Sequence, residues 1–110
     1  MALPKTYRLL RERFPEVAQA YERLGEACAE AGPLDAKSQQ LVKLALAIGT
    51  RSEGSAHSHA RRALAAGATR EELEQVVLLS ITSLGFAPAM AAWTWVNDIL
   101  TEHSEGVSQA

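Results

Sequence analysis

Short apolar stretches with helical spacing, separated by residues that stop helices, constrain the fold of this 110-residue chain more than any other feature. Glycine or proline interrupts the apolar pattern at Gly32-Pro33, at Gly49 and at Gly67. Between such stops apolar residues recur every three or four positions, the spacing of one helix face. Thr69 and Glu72 also fit a capping box, in which two side chains bond the free backbone N–H groups at a helix start. The sequence predicts an all-α fold of about six helices.

The predicted helices follow this punctuation along the chain. They cover residues 6–13, 15 to the stop at Gly32, 36–48, 52–66, 70–84 and 89–100. Apolar residues make up 47% of the chain and aromatic residues only 5%, which fits close packing of helices better than a sheet core. We expect residues 1–110 to form a single domain with its core at about 34–100, and residues 104–110 to be a flexible tail.

One predicted helix is apolar on most of its faces. The helix that begins after Thr69 has apolar residues on most of its sides: Leu73, Val76, Val77, Leu79, Ile81 and Leu84. Such a helix is either central in the fold or part of a subunit interface. Because a chain of 110 residues offers it little cover, the sequence predicts a homo-oligomer.

Charge and hydropathy limit the partners of the chain. It carries 11 Lys and Arg against 13 Asp and Glu, with no basic cluster longer than Arg61-Arg62, so we expect no nucleic-acid partner. No segment has the length of a membrane span, and the start of the chain lacks the apolar run of a signal peptide. We therefore expect no membrane association and a cytoplasmic location. Cys28 is the only cysteine and is predicted to pack as a small buried hydrophobic residue.

A run of serine, glycine and histidine precedes the stop at Gly67. It reads Ser-Glu-Gly-Ser-Ala-His-Ser-His over residues 52–59, and Ala63 follows one turn later. Together with Thr69 and Glu72, this run resembles the redox-site helix of the carboxymuconolactone decarboxylase and alkylhydroperoxidase D superfamily. The resemblance covers about residues 34–100. Its other parts are Leu34-Asp35 with Gln39-Gln40-Leu41, and Gly85 with Pro88-Ala89 and Ala92.

The resemblance implies an alkylhydroperoxidase D-like helical bundle that assembles as a homotrimer or homohexamer. In the peroxidase branch, two cysteines precede the histidine by seven and four residues, and a glutamate precedes the first cysteine by twelve. Counted from His59, these places hold Ser52, Ser55 and Gln40. Because a serine hydroxyl neither ionises near neutral pH nor forms a disulfide, dithiol peroxidase activity is not expected. The decarboxylase branch has a glutamate four residues before the histidine, where this chain again has Ser55.

Helical geometry divides the run into two stripes at 100° per residue. The first stripe comprises Ser52, Ser55 and His59. The second comprises Glu53, His57 and Arg61. By the resemblance, the first stripe faces Gln40. Since the two histidines point to different sides of the helix, they cannot share one metal ion, and we expect no metal site.

His59 is the first candidate for an acid/base residue, because imidazole changes its charge near neutral pH. The alternative is a histidine that only hydrogen-bonds to Ser55 or Gln40 in a polar pocket. Glu53 and His57 are predicted as further catalytic residues, and their alternative is a solvated stripe of weak ion pairs. The predicted substrate-binding residues are Ser52, Ser55 and Gln40. No cofactor is expected.

These observations favour a carboxymuconolactone decarboxylase-like protein with a cofactor-free site for a small-molecule ligand. The predicted chemistry is proton transfer or decarboxylation of a small organic acid or lactone, as in a lyase. The alternative is a non-catalytic oligomeric binding or scaffold protein that has lost the dithiol peroxidase chemistry of the fold. Trp93 and Trp95 are predicted to lie in the core or an interface, with the wall of a pocket as their alternative.

Overall fold

The computed structural model describes residues 4–109, with the side chains of residues 4–105. Within this range the chain forms helices and no strand. The helices are α1 (Lys5–Arg13), α2 (Pro15–Glu30), α3 (Ala36–Gly49), α4 (Glu53–Ala65), α5 (Arg70–Leu84) and α6 (Phe86–Gln109). The predicted all-α fold of about six helices is confirmed.

Contacts within the chain divide it into two compact units. The first ends at Pro33 and the second begins at Leu34, where the sequence predicts the core to begin. The expectation that residues 1–110 behave as one domain stays a prediction.

The first unit is a hairpin of α1 and α2. Pro15 occupies the first position of α2, where its missing N–H costs no helical hydrogen bond. The Tyr7 hydroxyl donates to Glu22 Oε1 at 2.9 Å, and the rings of Tyr7 and Tyr21 lie 6.2 Å apart. These contacts join the two helices on one side.

Cys28 is exposed near the end of α2, so the prediction that it is buried is wrong. The reason lies in the lengths of the two helices. Helix α1 has 9 residues and α2 has 16, so the last turns of α2 extend past the helix that packs on it.

The core of the second unit is built from four helices. Helix α4 packs on α3 and α6, and α5 packs on α6 and α3. The largest buried side chains are Leu44, Ile48, Leu73, Val77, Val96 and Ile99. Helix α4 contributes only Ala56, Ala60 and Ala63, which are at most 1% exposed. These small side chains allow α4 to lie close to both neighbours.

Side-chain caps fix the starts of α3 and α5. Asp35 Oδ1 accepts from Ser38 N at 2.8 Å. The predicted capping box is present, with 3.1 Å from Glu72 N to Thr69 Oγ1 and 2.9 Å from Thr69 N to Glu72 Oε1. Lys37 Nζ lies 3.0 Å from Glu72 Oε2, so the first turns of α3 and α5 are tied together.

The last helix is longer than its predicted range. It begins at Phe86, because Pro88 falls in its first turn, where no N–H is required. Gly85, with φ 99°, is the residue that separates α5 from α6. Helix α6 also continues to Gln109, past the predicted end at Leu100. Flexibility of residues 104–110 stays a prediction. Ala110 lies outside the described residues, as do residues 1–3 at the start of the chain.

Several large apolar side chains of the second unit are exposed. Leu78 and Leu79 on α5 are 57% and 62% exposed, and Leu46 on α3 is 63% exposed. Helix α5 buries Leu73 and Val77 because its neighbours cover one side only. Within the second unit α5 is therefore not central, and its place in a subunit interface stays a prediction.

Candidate functional site

The turn between α3 and α4 determines which way α4 presents its side chains. Ser52 N donates to Ala47 O at 2.9 Å, and Thr50 Oγ1 donates to Leu46 O at 3.1 Å. Arg51 has φ 56°, a left-handed conformation that is uncommon for a residue with a side chain. Because the connection is so short, α4 runs back along α3, and the two helices face each other.

His59 is held by an amide from α3. Its Nδ1 lies 2.8 Å from Oε1 of Gln40. An amide oxygen only accepts, so the ring carries its hydrogen on Nδ1 and the neutral ring has its basic lone pair on Nε2. Within the first stripe of α4, His59 thus faces Gln40.

The surroundings of His59 disfavour the protonated ring. Burial keeps the pKa of His59 below its ordinary value, and the positive charges of Arg62 and Lys43 lower this pKa further. Lys43 follows Gln40 by three residues on α3, and Arg62 follows His59 by three residues on α4, so each cation lies one turn away from the bonded pair. The site combines a neutral imidazole with two cationic side chains.

Ser52 and Ser55 lie at the N-terminal end of α4. Ser52 precedes the helix and is half-buried, and its hydroxyl makes no capping bond. Ser55 is exposed in the first turn. Of the two partners expected for a hydrogen-bonded His59, the structure shows Gln40. Both serines lie on the side of α4 that carries His59, and Ser55 is accessible there.

The second stripe of α4 faces α6. His57 Nε2 lies 3.1 Å from Asp98 Oδ2, and Arg61 makes two parallel bonds of 3.0 Å to the carboxylate of Glu102. The Arg61 guanidinium holds the pKa of Glu102 below its usual range. The stripe therefore forms bonds between helices, whereas Glu53, one turn earlier, is exposed.

The sequence interpretation missed Asp98 and Glu102. Their spacing of four residues equals that of His57 and Arg61. Matching stripes of opposite charge on two helices are a signal for such pairing, although the sequence alone does not show that α4 and α6 are neighbours.

An open groove of about 440 Å³ follows one side of α6. It is lined by Trp93, Thr94, Asn97, Asp98 and Thr101. Trp93 is 36% exposed, whereas Trp95 is partly buried against the core. Trp95 therefore lies at the core, as predicted, and Trp93 lines the groove.

Among the described residues, no three His, Cys, Asp or Glu side chains converge closely enough to hold a metal ion. None of the helices described for residues 4–109 has both the length and the apolar character needed to cross a membrane.

Comparison with known proteins agrees with the resemblance seen in the sequence. The profile of the carboxymuconolactone decarboxylase family matches residues 15–98. A crystal structure of a carboxymuconolactone decarboxylase family protein from Legionella pneumophila is similar, with a TM-score of 0.77 and 25% identity over 87% of this chain and 86% of that chain. A crystal structure of a protein from Burkholderia xenovorans, provisionally named a carboxymuconolactone decarboxylase, is also similar. Its TM-score is 0.74, with 25% identity over 96% of this chain and 85% of that chain.

A curated relative from Haemophilus influenzae, an uncharacterized protein, is 42% identical over 59 residues. The match covers 54% of this chain and 52% of the relative, so the chain spans about half the length of that relative.

The family match includes the whole of α2, α3, α4 and α5 and residues 86–98 of α6. It therefore contains Gln40, His59 and the stripe that faces α6. Sequence profile, helix order and two solved structures lead to the same assignment. The chain belongs to the carboxymuconolactone decarboxylase family.

Proposed function

We propose that the protein has a cofactor-free site in which His59 acts as a general acid/base on a small organic acid or lactone. The observation that carries this proposal is the 2.8 Å bond between His59 Nδ1 and Gln40 Oε1. It fixes the tautomer and the orientation of the ring, and assigns the basic lone pair to Nε2. Burial and positive charge keep this nitrogen unprotonated near neutral pH, the state that a general base requires.

The charge around His59 supports an anionic substrate. In a proton transfer, Nε2 takes a proton from carbon, the negative charge moves to a carbonyl or carboxylate oxygen, and the imidazolium returns the proton. Lys43 and Arg62 stabilise the charge that develops on oxygen. Ser52 and Ser55 bind the substrate through their hydroxyl groups, and Gln40 orients the ring.

Decarboxylation uses the same residue in its protonated form. When CO2 leaves, its bonding electrons remain on carbon, and the imidazolium of His59 supplies the proton that replaces the carboxyl group. The two reactions have opposite dependence on pH. Proton abstraction becomes faster as pH rises through the pKa of His59, whereas protonation after loss of CO2 becomes slower. Assistance by Glu53 and His57 stays a prediction.

We also propose that the protein works as a homo-oligomer, a trimer or hexamer by analogy with the superfamily. Exposed apolar side chains on three helices of the second unit support it: Leu46 is 63%, Leu79 62% and Phe86 66% exposed. Sedimentation velocity of Leu79→Glu tests this surface. A smaller assembly than that of the unaltered protein is expected, and an unchanged sedimentation coefficient would count against the surface.

The acid/base proposal is tested with two probes. Small 2-oxo acids and lactones are incubated with the protein in D2O, and exchange of their α-protons is followed by NMR. Carboxymuconolactone is assayed separately for release of CO2. His59→Gln should lower the rate of whichever reaction occurs by about 100-fold or more, the usual contribution of a general base.

His103→Gln is the matched control, because His103 is an exposed histidine on α6. Its rate should equal that of the unaltered protein. A rate that survives His59→Gln, or the absence of both reactions, would favour the non-catalytic binding protein. Consumption of peroxide with a dithiol reductant by Cys28→Ser would show instead that the serines do not exclude redox chemistry.

A further inference from the structure

The groove on α6 presents several hydrogen-bond acceptors. The Thr94 hydroxyl donates its hydrogen to Met90 O at 3.2 Å, and one Asn97 amide N–H donates to Trp93 O at 2.8 Å. A threonine has no second hydrogen to give, and Asn97 keeps its carbonyl oxygen as an acceptor. A ligand with N–H donors complements these acceptors.

The charge of the groove is negative. Asp98 bonds to His57 through Oδ2, which leaves Oδ1 as an acceptor, and its side chain is 53% exposed. Arg61, the nearby cation on α4, is neutralised by its two bonds to Glu102. Asp98 is therefore the carboxylate among these four residues that has no permanently charged partner.

Trp93 supplies an aromatic surface in the same groove. Its exposed fraction of 36% leaves part of the indole uncovered. The face of an indole attracts cations, and planar guanidinium groups also stack on it. Aromatic ring, carboxylate and neutral acceptors therefore favour the same class of ligand.

We propose that the α6 groove is a binding site for a small organic cation that carries N–H donors, such as an alkylguanidinium. Its positive charge lies against Trp93 and Asp98, and its N–H groups donate to Asp98 Oδ1, Asn97 Oδ1 and the Thr94 hydroxyl. This site is separate from that of His59. The two lie on different sides of α4 and select ligands of opposite charge, since Lys43 and Arg62 surround His59.

The test is a titration of the 15N-labelled full chain with ethylguanidinium chloride at constant ionic strength. The Trp93 indole N–H and the Asn97 side-chain amide should shift together with a dissociation constant of about 1–10 mM, because the open groove covers only one side of a ligand. Two comparison probes separate the contributions. Ethylurea has the same shape without the charge, and tetramethylammonium has the charge without N–H donors.

Both comparison probes should bind at least threefold more weakly than ethylguanidinium. Asp98→Asn should weaken ethylguanidinium about fivefold, as expected for a partly exposed charge-assisted bond, and Trp93→Leu should weaken it as well. Glu12→Gln, which removes the same charge from an exposed position of α1, should have no effect. The proposal is overturned if ethylurea binds as well as ethylguanidinium, if Asp98→Asn leaves the affinity unchanged, or if 50 mM probe shifts neither side chain.

Discussion

The hydrogen bond between Gln40 and His59 predicts a large response to one substitution. Gln40→Glu replaces an amide with a carboxylate of the same length, 2.8 Å from His59 Nδ1 if the side chain keeps its place. Two unit charges about 4 Å apart attract by about 1 kcal/mol in water and about 4 kcal/mol at an effective dielectric constant of 20. Because the ring is half-buried, we expect about 2 kcal/mol, which corresponds to roughly 30-fold tighter proton binding by His59.

The assay is a 1H–13C NMR titration of the His59 ring. In the unaltered protein the pKa of His59 lies below its ordinary value, and in Gln40→Glu it should lie above that of the unaltered protein. Since less of the ring is then unprotonated at pH 7, exchange of α-protons should slow. Any decarboxylation should become faster, because the acid form is more abundant.

Gln75→Glu is the control for the added charge, as Gln75 is exposed on α5. It should leave the His59 titration where it is in the unaltered protein. If Gln40→Glu also leaves the titration unchanged, or makes the ring harder to protonate, the bond to Gln40 is not formed in solution and the assigned tautomer is wrong.

Three further predictions concern stability. Leu73→Ala should lower the free energy of unfolding, measured in urea, by about 3 kcal/mol, because Leu73 is 0% exposed. Leu73→Met should lower it by less than about 1.5 kcal/mol. Equal losses would contradict the close packing around Leu73. Arg51→Gly should raise the free energy of unfolding by up to about 1 kcal/mol, because glycine adopts a left-handed conformation without strain. A lower free energy of unfolding would show that the Arg51 side chain stabilises the fold by more than its backbone strain destabilises it. The free energy of unfolding should fall as pH drops from 7.5 through 6.5, the ordinary pKa of histidine, because the unfolded chain binds the His59 proton more readily than the folded one. Urea unfolding at pH 7.5 and 5.5 measures this difference, which His59→Gln should reduce.

The helix boundaries could be predicted where they depend on local chemistry. Asp35, Thr69 and Glu72 satisfy backbone groups within three residues of themselves, so their caps are visible in the sequence. The start of α6 was misplaced because a proline reads as an interruption, although the first turn of a helix tolerates it. Burial of Cys28 was misjudged since it depends on how far α1 reaches along α2.

The candidate site shows the same division between local and long-range causes. The separation of His57 from His59 follows from 100° per residue alone, and the structure shows them bonded to different helices. The partners of the second stripe, Asp98 and Glu102, lie 41 residues from their bases in the sequence. Their pairing requires α4 and α6 to pack together, which no property of the stripe itself reveals.

The two sides of α4 therefore differ in their electrostatic environment. On one side, burial and two cations keep His59 neutral, so that an added negative charge is stabilised there. On the other, a carboxylate accepts the hydrogen bond of His57, so that an added positive charge is favoured. Within one chain the two rings point to different sides of α4, since His57 bonds to α6 and His59 to α3. Substitution of either histidine should consequently remove one of these two hydrogen bonds and leave the other in place.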